Sequence, residues 1–130
     1  MRLNQVTVPL VDYDASVAFY TRLGLKLIVD SPPRYARFEL PEGDGGEPAT
    51  FSIEKVNGWA GGDSPEIWFE SDRLDELVAE LKGKGIEFES EPATMSYLWR
   101  VAHLRDPAGN RISLYHAGEN RRRPPWRVKD

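Results

Sequence analysis

Two hydrophobic patterns alternate along the chain, and each predicts one kind of secondary structure. Residues 5–10 (QVTVPL) alternate polar and apolar positions, which is typical of a strand with one buried face. The next run, DASVAFYTRLG, has helical spacing, with Asp14 as the expected N-cap and Gly24 as the residue that ends the helix. Three strand-like runs follow: LKLIVD, YARFEL and TFSIEKV. The first half therefore predicts the order βαβββ.

The second half repeats this pattern. An offset of 61 residues places Gly24 on Gly85 and Gln5 on Glu66. A helix is predicted to begin at Asp72 or Asp75 and to end near Gly83 and Gly85. Its apolar positions have the spacing of one buried helix face: Leu74, Leu77, Val78 and Leu81. Three strand-like runs again follow the helix: IEFES, LWRVAHLR and NRISLYH.

These elements predict an α+β fold of two tandem βαβββ modules, which form a curved, cup-like mixed sheet with the helices packed outside. We expect residues 1–117 to form a single domain, with module one at about 1–57 and module two at about 65–117. The Gly-rich stretch 57–65 separates the modules. Residues 118–130 are expected to form an irregular basic tail.

Composition and charge exclude several classes of protein. The 130 residues include no Cys, which excludes disulfide scaffolds, thiolate metal sites and cysteine nucleophiles. Net charge is −4, yet residues 118–130 hold five of the 17 basic residues and only two of the 21 acidic ones, so the rest of the chain carries −7. An acidic body argues against nucleic acid as a partner. No segment resembles a signal peptide or a membrane span, so we expect a cytoplasmic protein that binds no membrane.

Alternation divides the strand residues between two faces of the sheet. One face is apolar and is predicted to pack on the helices: Val6, Val8, Phe51, Ile53, Ile67, Phe69, Leu104, Ile112 and Leu114. The opposite face is polar and aromatic: Gln5, Thr7, Ser52, Glu54, Glu66, Trp68, His103, Ser113 and Tyr115. Such a face is either solvated or the lining of a pocket. The two large aromatic residues favour the pocket.

The chain resembles a known family in two segments. The two segments are similar to those of the glyoxalase I / bleomycin-resistance protein / extradiol dioxygenase superfamily, also called vicinal oxygen chelate proteins: the helix DYDASVAFYTRLGL and the hairpin LRDPAGNRISLY. The helix is one residue shorter than the usual pattern between Tyr20 and Leu23. The resemblance covers residues 3–116. It implies the tandem βαβββ fold and a homodimer. It does not choose among the isomerases, dioxygenases and metal-free drug-binding proteins of this family.

The resemblance also implies a metal site. Its first-strand ligand position falls on Gln5, the fourth-strand position on Glu54 and the fifth-strand position, usually His, on Glu66. The eighth-strand position, usually Glu, is Ser113. The oxygen donors Gln5, Glu54 and Glu66 suit a hard divalent ion such as Mg²⁺ or Mn²⁺, although Fe, Ni, Co and Zn stay open. If the hairpin closes around residues 106–110, His103 lies opposite Ser113 and becomes a conjectural fourth ligand, or it simply hydrogen-bonds to Ser113 or Tyr115.

Two functional hypotheses remain open. In the first, a divalent metal polarises the oxygens of a small substrate in a lyase, isomerase or dioxygenase reaction, with Glu54 or Glu66 as the catalytic proton carrier. In the second, the protein holds no metal and sequesters a basic or aromatic small molecule of the antibiotic type. Both use the same residues to contact the ligand: Thr7, Ser52, Trp68, His103, Ser113 and Tyr115.

Overall fold

The first of two structural units holds one helix and a four-stranded sheet. In the computed structural model, which describes residues 2–41, 46–62 and 64–129, this unit spans Met1–Pro65 and Arg105–Asn110. Its elements are β1 (Gln5–Leu10), α1 (Tyr13–Leu23), β2 (Lys26–Ser31), β3 (Tyr35–Glu39) and β4 (Thr50–Lys55). The strand order is β1-β4-β3-β2, with β1 parallel to β4 and the other pairs antiparallel.

The second unit, Glu66–Leu104 and Arg111–Asp130, repeats the arrangement. Its elements are β5 (Ile67–Glu70), α2 (Leu74–Gly83), β6 (Ala93–Thr94), β7 (Arg100–Arg105) and β8 (Arg111–His116). The strand order is β5-β8-β7-β6, with β5 parallel to β8. A short 3-10 helix, Gly118–Arg121, lies within the segment that was expected to be irregular.

The fold class is confirmed: the protein is α+β, with two four-stranded mixed sheets and two helices in βαβββ order. The predicted linker 57–65 includes residue 63, which lies outside the described residues. No helix in the described parts of the chain is long and apolar enough to cross a membrane.

The helix starts differ from the sequence-based predictions. Helix α1 is capped by Asp12, whose carboxylate accepts a hydrogen bond from the Ala15 amide, and Asp14 lies inside its first turn. Helix α2 follows Arg73, which provides no side-chain cap, so neither Asp72 nor Asp75 is the N-cap. Asp75 instead pairs with Arg100, whose hydrogen bonds hold the pKa of this carboxyl below its usual range. Asp75 thus binds a charged partner on β7 and does not cap the helix.

The prediction of a strand at IEFES is wrong. Ile86–Ser90 forms no strand, and the two-residue β6 pairs with β7 further along the chain. The Glu89 amide donates one hydrogen bond to the His103 carbonyl, while the His103 amide donates to the side chain of Ser90. A serine hydroxyl therefore occupies the place of the backbone carbonyl that a regular ladder requires.

The apolar face forms the core, as predicted, with some members only half-buried. Val6, Ile67 and Phe69 retain partial exposure, whereas the other six residues of the predicted set are buried. Leu74, Val78 and Leu81 of α2 are buried as the spacing predicts, and Leu77 is half-buried.

A buried polar network anchors the turn 106–110 in the first unit. The Tyr20 hydroxyl donates to Asp106 Oδ2 at 2.6 Å, and Asp106 Oδ1 accepts from the amides of Ala108 and Asn110. The Asn110 side chain donates to the Pro9 carbonyl at 2.8 Å. Gly109 has φ +84°, a left-handed conformation that glycine adopts without strain. The Asp106 carboxylate thus holds the shape of this turn by accepting hydrogen bonds from several donors at once.

Candidate functional site

Three polar side chains of the second unit form a hydrogen-bonded chain on the predicted polar face. Ser113 Oγ donates to Glu66 Oε1 at 3.0 Å and lies 2.8 Å from His103 Nδ1. The Glu66 carboxylate and His103 Nδ1 are 3.9 Å apart. The predicted contact of His103 with Ser113 across the β7–β8 pair is therefore confirmed, and Glu66 joins it from the start of β5.

The direction of these hydrogen bonds fixes the chemistry of His103. A serine hydroxyl has one hydrogen, and Ser113 gives it to a carboxylate that can only accept. The bond to His103 therefore requires the histidine to donate from Nδ1. In the neutral imidazole this leaves Nε2 as a lone-pair acceptor. The side chains of His103 and Glu66 are 38% and 33% exposed, so both present polar atoms to a ligand.

An aromatic cluster lies beside this chain. Trp99 stacks on Tyr115 at 4.8 Å between ring centroids, and Trp68 meets the edges of both Tyr115 at 5.5 Å and His103 at 6.1 Å. The Trp99 indole N–H donates to the Asn120 carbonyl, which fixes the ring. Trp68 and Trp99 are half-buried, so their outer surfaces are available to a ligand.

Tyr115, which was predicted to contact a ligand, is largely covered by its neighbours. The residue is only 7% exposed and packs with Val101 and Ala117 beneath the two tryptophans. Burial, with the nearby Glu70 carboxylate, raises the pKa of its hydroxyl above the ordinary value. Tyr115 therefore supports the aromatic surface. Ser113 is likewise fully buried, between Glu66 and His103.

A second polar cluster lies on the sheet of the first unit. Gln5 Nε2 donates to Ser52 Oγ at 2.9 Å and to Thr7 Oγ1 at 3.1 Å, while its Oε1 accepts from the Thr50 hydroxyl. Ser52, which was also predicted to contact a ligand, is 0% exposed. Gln5 and Thr7 are the exposed members of this group.

Glu54 lies apart from Gln5. In the parallel β1–β4 pair Gln5 is opposite Thr50 and Glu54 is opposite Pro9. Four residues along a strand correspond to about 13 Å. The register therefore gives Gln5 the hydroxyls of Thr50 and Ser52 as neighbours, whereas the Glu54 carboxylate belongs to a residue about 13 Å further along the strand.

Two residues that sequence reasoning missed complete this cluster. Tyr35 and Arg37 on β3 lie opposite Glu54 and Ser52. The Arg37 Nε–H donates to the Tyr35 hydroxyl oxygen at 2.9 Å, and this hydroxyl lies 2.7 Å from Ser52 Oγ. The alternation of YARFEL, with buried Ala36 and Phe38, places both residues on the face of Ser52 and was the signal that could have found them.

These donors do not fit the divalent metal that the family resemblance implies. The Gln5 carboxamide oxygen already accepts from Thr50, and Ser113 offers an engaged hydroxyl where a carboxylate ligand is usual. Across residues 2–41, 46–62 and 64–129, no three His, Asp or Glu side chains lie close enough together to hold a metal. The ligand set of Gln5, Glu54 and Glu66 with His103 therefore stays a prediction.

Comparison with known proteins identifies the class that this fold defines. The sequence profile of the Glyoxalase/Bleomycin resistance protein/Dioxygenase superfamily matches residues 2–114. The chain belongs to this superfamily, as the resemblance of the helix and hairpin indicated. A search of curated proteins finds no match.

Solved structures share the fold at low sequence identity. A glyoxalase/bleomycin resistance protein/dioxygenase from Nocardioides is 22% identical, with a TM-score of 0.75, and the alignment covers 99% of this chain and 90% of that one. Lactoylglutathione lyase from Agrobacterium tumefaciens is 18% identical, with a TM-score of 0.69 and coverages of 88% and 92%. A bleomycin-binding protein complexed with bleomycin is 20% identical, with a TM-score of 0.70 and coverages of 89% and 98%. Both an enzyme and a binding protein are thus structurally similar to this chain.

Proposed function

We propose that the protein binds a small molecule without a metal, on the surface formed by Glu66, Trp68, Trp99 and His103. The observation that carries this proposal is the hydrogen-bonded chain from Glu66 through Ser113 to His103, which lies beside exposed tryptophan surface. Ser113 is engaged with two partners here, and in metal-binding relatives this position is expected to hold a free carboxylate.

The chemistry of the surface indicates the kind of ligand. Tryptophan faces bind flat rings and cations. The Glu66 carboxylate accepts hydrogen bonds and favours a positive charge, and His103 Nε2 accepts another hydrogen bond. The net charge of −4 attracts cations over a longer range. We therefore expect an aromatic ligand that carries a basic or N–H-donating group.

Metal-free bleomycin is the first ligand to test, because one structurally similar protein binds bleomycin. Titration of the tryptophan fluorescence should give saturable quenching. The Trp68→Phe and Glu66→Gln variants should each weaken binding by about tenfold, the loss expected for one stacked ring or one charge-assisted hydrogen bond. Trp126→Phe removes a tryptophan that is 58% exposed in the tail and serves as the matched control.

Two results would contradict the proposal. One is equal weakening by Trp68→Phe and Trp126→Phe, which would indicate nonspecific binding. The other is a near-stoichiometric transition metal in protein that is purified without chelators or a metal-affinity column, measured by inductively coupled plasma mass spectrometry. The second result would favour metal-dependent lyase, isomerase or dioxygenase chemistry, with Glu66 as the first candidate for the proton carrier.

We also propose the homodimer that the family resemblance implies. Analytical ultracentrifugation should give a mass near twice that of the 14.8 kDa chain. A monomer at micromolar concentration would contradict this.

A further inference from the structure

Arg37 lies on the polar face of the first unit without an ion-pair partner among the described residues. Its Nε–H donates to the Tyr35 hydroxyl oxygen, and its guanidinium carbon lies 5.5 Å from the centre of the Tyr35 ring. Tyr35 thus holds the half-buried guanidinium in one orientation. Glu39 and Glu54 are on the same strand face, yet neither forms an ion pair with Arg37 in the described parts of the chain.

The direction of the neighbouring hydrogen bonds follows from burial. Ser52 Oγ accepts from Gln5 Nε2 and lies 2.7 Å from the Tyr35 hydroxyl. Ser52 is 0% exposed, so if Tyr35 donated to it, the serine hydrogen would be buried without an acceptor. A buried donor without an acceptor is strongly unfavourable. Ser52 therefore donates to Tyr35.

This assignment leaves Tyr35 with an unused hydrogen. Its oxygen accepts from both Ser52 and Arg37, so its own O–H has no acceptor in the network. The terminal N–H groups of Arg37 also have no acceptor among the described residues. The Tyr35 O–H and the Arg37 N–H groups are therefore hydrogen-bond donors without acceptors, and Arg37 also carries a positive charge. An oxyanion binds to such a set of donors.

We propose that Arg37 and Tyr35 form an oxyanion-binding site, which takes a carboxylate or a phosphate group of a small molecule. Arg37 supplies the charge and the planar pair of N–H donors, and Tyr35 supplies the O–H donor and fixes the plane of the guanidinium. Gln5 and Ser52 position Tyr35 through their hydrogen bonds. This site goes beyond the ligand surface of the second unit and does not rest on it.

The test is a nuclear magnetic resonance titration of the full chain with sodium phosphate and, separately, sodium acetate, at constant ionic strength set by sodium chloride. An isolated anion makes few contacts, so we expect a Kd near 1 mM. The Arg37 Nε–H signal and the amide signals of β3 should shift and saturate. The anion with the lower Kd identifies the group, phosphate or carboxylate, that the site takes.

Variants of neighbouring residues make the assignment specific. Arg37→Gln should weaken binding by about tenfold or more, and Tyr35→Phe by about three- to tenfold, in line with charged and neutral hydrogen bonds. Arg37→Lys, which keeps the charge but loses the planar fork, should also weaken binding. Arg34→Gln is the control, because Arg34 is exposed, lies next to Tyr35 and carries the same charge.

The proposal is overturned if Arg34→Gln and Arg37→Gln weaken binding equally, because the effect is then one of net charge. It is also overturned if neither anion shifts the Arg37 signal, or if the shifts are confined to the Arg residues of the tail. An unchanged spectrum of β4 in the Arg37→Lys and Tyr35→Phe variants shows that the sheet remains folded. The bleomycin titration does not use these residues, so the two proposals fail separately.

Discussion

Ser113 Oγ lies 2.8 Å from Nδ1 of His103 and at the same time donates to Glu66. A buried serine therefore sets which imidazole nitrogen carries the hydrogen. Alternation along the strand placed His103 on a face of the sheet, and the bond to Ser113 additionally defines Nε2 as its acceptor atom.

The Ser113→Ala variant should lose control of the His103 tautomer. We expect the wild-type imidazole to be in the Nδ1–H form at about pH 8.5, where an ordinary histidine is neutral, and the variant to become a mixture of both forms. Long-range ¹H–¹⁵N correlation spectra report the tautomer directly. The chain has only two histidines, so His116 serves as the internal reference.

Ser16→Ala is the matched control for that experiment. Ser16 is 1% exposed, and its hydroxyl has no hydrogen-bond partner among the residues that the structure describes. Its removal should leave the His103 spectrum unchanged and the stability nearly so, whereas Ser113→Ala should lower the free energy of unfolding by about 1 kcal/mol. A wild-type His103 that is protonated at Nε2 would refute the assignment.

The Tyr20→Phe variant should destabilise the protein by about 1.5–3 kcal/mol, because it removes a buried hydrogen bond to the Asp106 carboxylate. Urea unfolding should give a lower midpoint with an unchanged slope. Tyr97→Phe, at a residue that is 39% exposed, should have little effect. Equal midpoints for the two variants would mean that the network does not stabilise the turn.

Stability should fall at alkaline pH. Burial and Asp106 raise the pKa of Tyr20 above its ordinary value, and burial with Asp30 raises the pKa of Tyr13 to about 12. The folded chain keeps protons that the unfolded chain releases above about pH 10, so this contribution is complete below about pH 10 and is lost as the pH rises further. Melting temperatures between about pH 8 and pH 11 should show the fall, and Tyr20→Phe should make it shallower. A profile that Tyr20→Phe leaves unaltered would contradict this account.

Two glycines at helix ends should respond in opposite ways to alanine. Gly24 has φ +110°, so Gly24→Ala should cost about 1–2 kcal/mol through backbone strain alone, since beyond its two chain neighbours no atom of the described residues lies within 4 Å of the added Cβ. Gly83 ends α2 without a positive φ and with equally open space, so Gly83→Ala should stabilise by about 0.5 kcal/mol. Thermal melts of the two variants check this pair. Destabilisation of both by the same amount would argue against the strain at Gly24.

The sequence by itself determined the element order and the faces. Helical and strand periodicities arise from local geometry, so the sequence shows them directly. The internal repeat that aligned Gln5 with Glu66 gave each element a second, independent indication. The role of Gly24 was predictable because its left-handed conformation is costly for other residues. The start of α2 and the absent strand at 86–90 were not predictable, since Arg100 and Ser90 make hydrogen bonds there that depend on distant parts of the chain.

Only the tertiary structure decided which polar residues meet. Alternation placed Gln5, Ser52 and Glu54 on one face, but the register of the parallel β1–β4 pair, which no local pattern encodes, put Gln5 beside Ser52 and left Glu54 four residues away. Packing decided that Tyr115 and Ser113 are buried while Trp68 and His103 keep exposed surface. The sequence did not single out Arg37, which is one of 17 basic residues. Its lack of an ion-pair partner among the described residues is a property of the fold, because the partners of a side chain are decided only when strands distant in sequence come together.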